Sequence, residues 1–222
     1  MIEKQRYVAV VGLDFSDLGD RALDQAIEVA SLNGGEVHTV YVEPERPIES
    51  VLQGSVPGDT ATTEAALEHI RRRTSDRLQS VTEKRGQLAL TRAVAHYRRG
   101  SPAVEIAQLA TDLDADLVVV GSHGRRGIAK VLLGSVAERV SRLARCQVWI
   151  VRPKDHAVNE RVPEIEPPCP DCLAARQASR GAQFWCARHS EHHLRPHTYS
   201  YSSDGLYSSE TEAYEATPER GV

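Results

Sequence analysis

Val118-Val-Val-Gly-Ser-His-Gly-Arg-Arg-Gly-Ile-Ala-Lys-Val-Leu-Leu-Gly-Ser-Val-Ala-Glu-Arg-Val140 is the stretch that decides the fold. A short apolar run stops at Gly121, a basic glycine-rich loop follows, and Gly134-Ser135 opens a helical pattern. Strand, loop and helix N-terminus in that order make a phosphate site in α/β proteins. The first amides of a helix lack intrahelical partners, and its dipole favours negative charge there. Gly121, Gly124, Gly127 and Gly134 let the main chain approach an anion that a side chain would hold off.

Outward from this stretch the chain alternates between two periods. Tyr7 to Leu13 is apolar throughout, as a strand buried on both faces of a parallel sheet must be. Ser16 or Asp17 can cap the helix that follows, in which Leu18, Ala22, Ala26, Val29 and Ala30 keep helical spacing until Gly34-Gly35. Glu36 to Val42 reads as a second strand, Pro44 to Gly58 as a loop, and Asp59 to Arg85 as a long polar helix in which Arg71-Arg72-Arg73 forms a solvated face. Gln87 to Tyr97 is expected as the third strand. Ser101-Pro102 starts a helix reaching about Leu113, and Asp116 to Val120 is the fourth strand. Ser135 to Ala144 is a helix and Gln147 to Val151 a fifth strand, with Cys146 before it read as a small buried residue. Strands alternating with helices predict a Rossmann-like α/β fold, a five-stranded parallel sheet with helices on both faces. Its ligand crevice lies at the strand C-termini, where the winding reverses. Asp14 and the Gly121–Gly127 loop both fall at strand C-termini.

Composition narrows the function. Of 222 residues, 41% are hydrophobic and 26% charged, which suits a globular core. A net charge of −4 argues against a general nucleic-acid binder. The start, Met-Ile-Glu-Lys-Gln-Arg, leads directly into a strand, with neither a signal-peptide core nor a membrane-length apolar run, so a cytoplasmic location is expected.

Gly121-Ser-His-Gly124, nine residues, then Gly134-Ser135 resembles the Gly-x2-Gly-x9-Gly-Ser/Thr signature of the nucleotide-binding universal stress proteins. The likeness spans about residues 5 to 153 and includes Leu13-Asp-Phe-Ser16, Tyr41-Val42 and Val148-Trp-Ile-Val-Arg-Pro153. That family has the adenine nucleotide alpha hydrolase-like form of the Rossmann arrangement, so the resemblance implies ATP, with Mg²⁺ as its counter-ion, held across the crevice. Asp14 would lie near adenine and ribose, and the Val42 backbone would read the adenine edge. Gly121, Gly124, Gly134 and Ser135 would approach ribose and phosphates. Ser122, His123 and Val136 complete the candidate nucleotide-contacting set, and Arg125, Arg126 and Lys130, positions the family does not fix, would add charge near the phosphates. The resemblance also implies a homodimer through the last strand, Val148 to Val151. Asp14 and Ser135 are equally placed to act as helix caps, and His123 to be a plain loop residue. With no Walker motif and no evident base for water, a nucleotide-dependent sensor or stress-response regulator is the expected function. A slow ATPase or phosphotransfer enzyme is the alternative.

Past Lys154 the composition changes. Residues 154–168 read as a Pro/Glu linker, 169–197 as a Cys/His module, and 198–222 as an acidic, disordered tail. Cys169-Pro-Asp-Cys172, thirteen residues, then Cys186-Ala-Arg-His189 has the spacing of a structural zinc site, and a zinc-ribbon-like module is expected. His192 and His193 are alternative fourth ligands. The competing reading is a redox-responsive dithiol at Cys169 and Cys172, although the βαβ setting of such motifs is missing. Such a module is also a candidate docking site for a protein partner.

Overall fold

Valine-rich strands that alternate their side chains between two apolar faces organise the first part of the chain. The computed structural model describes residues 6–44, 60–124, 133–154 and 168–191. The chain divides into two compact units, Met1–Val162 and Pro163–Val222. The first holds strands β1 (Val8–Leu13), β2 (Glu36–Glu43), β3 (Arg92–Arg99), β4 (Leu117–Gly121) and β5 (Gln147–Val151). Between them lie helices α1 (Asp17–Leu32), α2 (Thr60–Arg85), α3 (Pro102–Asp112) and α4 (Ser135–Leu143). All pairings are parallel, in the order β3-β2-β1-β4-β5. The chain winds outward from β1 to β3, returns to β4 on the other side of β1, and finishes at β5. The reversal therefore lies between β1 and β4.

Each face of the sheet has its own core. Ala9, Val11, Leu13, Val37, Leu117 and Val119 pack under α1 and α2, through Leu23, Ile27, Ile70 and Val81. Val8, Val10, Val40, Val42, Val118 and Val120 pack under α3 and α4, through Ile106, Leu109, Ala137 and Val140. The strands read as continuous apolar runs because both parities are buried. Cys146 is half-buried against the second core, and burial pushes its thiol up.

Two expectations change. The third strand begins at Arg92, not Gln87, because β2 begins at Glu36 and Arg92 is its first partner in register. Residues before that have no strand to pair with; Leu88 and Leu90 instead pack on the core as loop, and the Ala89 amide donates to Ser31 Oγ at 2.9 Å. Arg73 is no solvated bystander. It forms a bidentate ion pair with Asp20, Arg77 does the same with Asp24, and Arg85 reaches Glu28 at 3.1 Å. Carboxylates spaced four apart along α1 thus meet guanidinium groups of α2, which is how a polar helix is held to the fold.

A polar cluster interrupts the apolar pattern on β2 and β3. His38 is buried, shares a proton with His96 across 2.8 Å, and lies 3.2 Å from Glu36. Burial disfavours charge on Glu36, yet His38 and Arg92 outweigh it and hold the carboxyl below its ordinary value of 4.5. Burial, with His38 and Arg98 nearby, pulls His96 down to about 4 from 6.5. Between those two values the unfolded chain binds the proton that the folded chain refuses, so stability rises with pH across that window and is lost on acidification. After discounting for solvent at this edge strand, the effect is about 1–2 kcal/mol. Urea midpoints measured from pH 7 to pH 4 are expected to fall, and His96→Gln to flatten that fall. The Glu36 contribution acts below 4.5 and remains in the variant.

In the second unit, helix α5 (Pro170–Ala178) and helix α6 (Ala187–Glu191) carry the cysteines. Among the described residues of this unit there is no strand, and both Cys/His pairs sit at helix starts. Pro170 at the first helical position and the Cys169 cap turn the first Cys-x2-Cys pair into a helix start. The linker and tail readings, residues 155–167 and 198–222, lie outside the described residues. No helix among the described residues is long and apolar enough to cross a membrane.

Candidate functional site

The crevice between β1 and β4 is built from the loops that leave them. Asp14 follows β1, and its Oδ1 accepts from the Ser16 amide at 3.1 Å and the Ser16 hydroxyl at 2.6 Å. Ser16 caps α1, its Oγ accepting from the Gly19 amide at 3.1 Å. Ser16, not Asp14, is therefore the cap of α1, and Asp14 braces it. Across the crevice Gly124 lies against the same carboxylate, since a Cβ there would stand 2.7 Å from Asp14 Oδ2. A Cβ on Gly19 would stand 2.6 Å from Asp14 Oδ1. Two missing side chains make room for one carboxylate.

The end of β4 is equally crowded. A Cβ on Gly121 would meet Leu18 of α1 at 3.0 Å. Ser122 is buried, and its amide donates to the Val151 carbonyl at 2.9 Å, tying the loop to β5. Its hydroxyl lies 3.2 Å from His123 Nδ1. The chain returns at Gly134, whose amide donates to the Ser122 carbonyl at 2.8 Å and where a Cβ would stand 2.9 Å from that oxygen. Gly134, not Ser135, is the cap residue of α4; Ser135 and Val136 occupy its exposed first turn, where the amides have no intrahelical partner. Val42 is the next-to-last residue of β2, one past Tyr41, which pairs with Leu13, so its backbone borders the Asp14 loop. Asp14, Val42, Gly121, Ser122, His123, Gly124, Gly134, Ser135 and Val136 thus fall at one end of the sheet around the β1–β4 reversal. Arg125, Arg126 and Lys130 lie outside the described residues.

The residues the sequence reading passed over are those that support this arrangement. Gly19 carries no motif of its own. Phe15 has a positive φ of 61° and packs between Tyr41 and His69, with ring centroids 5.0 and 4.5 Å away. An Asp-x-Ser turn leading into a helix cap was the available signal for both.

Along β5 runs a second feature. Trp149 is 41% exposed, and with Val148, Ile150 and Val151 it lines an open groove beside Arg21, Asp24 and Glu28 of α1. β5 is an edge strand with an apolar side.

In the second unit the donors of Cys169, Cys172, Cys186 and His189 all lie within 4.8 Å of one another and can hold a metal ion. Cys172 Sγ is 3.6 Å from Cys186 Sγ and 3.1 Å from His189 Nδ1, and Cys186 Sγ is 3.7 Å from that nitrogen. Ligands on a tetrahedron with metal–sulfur bonds of about 2.3 Å stand roughly 3.7 Å apart. The two helix starts provide this convergence: Cys169 and Cys172 flank the first turn of α5, as Cys186 and His189 do that of α6. Backbone amides of Cys172 and Asp171 hold the Cys169 thiol below its ordinary value, while burial pushes Cys172 up. All four cysteines of the chain are free thiols. His192 and His193 lie outside the described residues.

Comparison with known proteins bears on the first unit. Residues 8–152 match the universal stress protein family. Universal stress protein YxiE of Bacillus subtilis is 32% identical over 146 residues, 64% of this chain and 97% of that protein. Universal stress protein MJ0531 of Methanocaldococcus jannaschii is 31% identical over 143 residues, 64% of this chain and 80% of that protein. Universal stress protein UspA from Lactobacillus plantarum shares the fold, with a TM-score of 0.52 at 23% identity over 66% of this chain and 99% of that one. A universal stress protein solved in complex with cAMP gives a TM-score of 0.50 at 27% identity, covering 67% of this chain and 98% of that one. The Cys/His unit lies beyond the matched residues. The strand order, the Gly-x2-Gly-x9-Gly-Ser spacing and these matches agree: the chain belongs to the universal stress protein family.

Proposed function

We propose that this protein binds ATP across the β1–β4 crevice and uses nucleotide occupancy as a regulatory signal, while its Cys/His unit binds zinc and serves as an interaction module. The observation that carries the nucleotide reading is the contact of Gly124 with Asp14 at the end of the sheet where the Gly134 start of α4 is tied to Ser122. A carboxylate accepts from adenosine donors on one side, and unpartnered amides with a hydroxyl at Ser135 donate to phosphate on the other. A similar universal stress protein holds cAMP, an adenine nucleotide, in its crystal structure, which supports the same base here. Mg²⁺ would accompany the phosphates.

The donor set supports zinc in particular. Three thiolates and an imidazole at tetrahedral spacing suit a borderline-soft ion with closed coordination. Thiolate-held zinc and free cysteines fit a cytoplasmic location, where thiols stay reduced. The exposed apolar edge of β5 fits a homodimer that covers it.

One preparation tests the reading. The purified protein is denatured and the released nucleotide and metal are quantified, and refreshed protein is titrated with ATP. Stoichiometric zinc and saturable ATP binding are expected. No ATP by either route defeats the sensor account, and no metal defeats the zinc module. Turnover with Mg²⁺ above that of a Gly124→Val, Ser135→Ala variant would favour the enzyme alternative, and a reversible Cys169–Cys172 disulfide in metal-free protein the redox one.

A further inference from the structure

We infer that Phe15 is a positioning residue for the nucleotide contact of Asp14: its clamped ring holds a left-handed turn that aims the Asp14 carboxylate at Gly124. The inference rests on the adenine-nucleotide reading above and adds to it a residue that carries no role in that reading.

Four observations converge on this residue. Its φ of 61° lies where glycine is at ease and a bulky side chain is not. A strained residue persists only when its surroundings over-determine it, and the surroundings here are specific. The ring packs edge-on against His69 of α2 at 4.5 Å and tilted against Tyr41 of β2 at 5.0 Å. Tyr41 in turn stacks on Tyr97 at 6.4 Å, and the Tyr97 hydroxyl donates to Glu43. The ring therefore pins the β1–α1 loop to two other elements.

The turn that this pin holds has one visible consequence. It reverses the chain so that the Ser16 amide and hydroxyl both reach back to Asp14 Oδ1, which fixes the carboxylate beside Gly19 and Gly124. A residue free to relax to negative φ would swing Ser16 away and release Asp14. Phe15 touches no ligand position itself. It acts through Asp14.

A double-mutant cycle tests this with ATP as the titrant. Phe15→Gly keeps the left-handed turn accessible while removing the ring, so the fold survives and the pin does not. Expected are a loss of ATP affinity of about tenfold in Phe15→Gly and near-native affinity in Phe15→Tyr, which keeps the ring. Phe15→Gly combined with Asp14→Asn should bind no more weakly than Asp14→Asn alone. Native affinity in Phe15→Gly, or losses that simply add in the double variant, overturns the inference. His69→Ala removes an exposed wall of the clamp and supplies the same cycle with Asp14→Asn should Phe15→Gly fail to fold. Failure of the wild type to bind ATP is a separate outcome, which overturns the nucleotide reading and this inference with it.

Discussion

Gly124→Val is expected to weaken ATP binding by about 100-fold while leaving thermal stability nearly unchanged. What the new side chain would meet decides the outcome. A Cβ at Gly124 stands 2.7 Å from Asp14 Oδ2, far too close, so one of the two must move. Gly124 does not have a positive φ, so valine adds no backbone strain there. The relief comes from the carboxylate, whose Oδ2 must turn away from the new side chain while Oδ1 keeps its Ser16 partners. That displaces the group proposed to accept from adenosine and fills the space a ribose would use. Losing one charged hydrogen bond costs about 1.5–3 kcal/mol, and the blocked space adds to it. Gly134→Ala is the informative contrast. There the Cβ meets the Ser122 carbonyl oxygen at 2.9 Å, which is backbone and tied to the sheet. That variant is expected to lose stability as well as binding. Calorimetric titration beside thermal unfolding separates the two. Equal affinity in Gly124→Val and wild type would show that the crevice is not the nucleotide site.

Much of this was legible in the sequence because the physics is local or strictly periodic. Val8–Leu13 and Leu117–Gly121 had to be interior parallel strands, since both parities are apolar. Gly121 and Gly134 marked the two ends of a loop that must return to its own strand. The start of β3 was not legible, because it depends on where β2 begins and not on the residues of 87–91. The pairing of Arg73 and Arg77 with α1 was hidden for a similar reason: Asp20 and Asp24 lie 53 residues away in sequence, and a basic cluster on a polar helix looks the same whether paired or solvated. Phe15 was missed because an aromatic residue after a strand looks like core, and nothing in its type reveals a left-handed backbone. Cysteine spacing gave the four donors but not their scaffold. Cys-x2-Cys places two thiols on one side of either a hairpin knuckle or a first helical turn, and only Pro170 at the first helical position points to the helix.

Cys172→Ser is expected to abolish the proposed metal binding and to unfold the two helices of the second unit, because no other core is present among its described residues. Among its described residues Cys172 is the only buried one, at 4% exposed, while Leu173 and Phe184 are exposed at 47% and 46%. Two short helices with so little apolar burial cannot offset the entropy of ordering their chain. On the zinc reading the donors supply the folding free energy, and in small zinc modules metal binding is apparent folding energy of about 10–16 kcal/mol. Cys172 sits at the centre of the donor set, 3.6 Å from Cys186 Sγ and 3.1 Å from His189 Nδ1, and it accepts from the Cys186 amide at 3.4 Å. Serine keeps the size but not the thiolate that a borderline-soft ion prefers. Metal analysis should fall from stoichiometric to none, and limited proteolysis should cut within residues 168–191 in the variant, as it should in wild-type protein treated with a chelator. The two sheet cores draw all their residues from the first unit, so the thermal transition of the sheet should remain. Protection from proteolysis in the metal-free variant would mean that something other than these four donors holds the helices together.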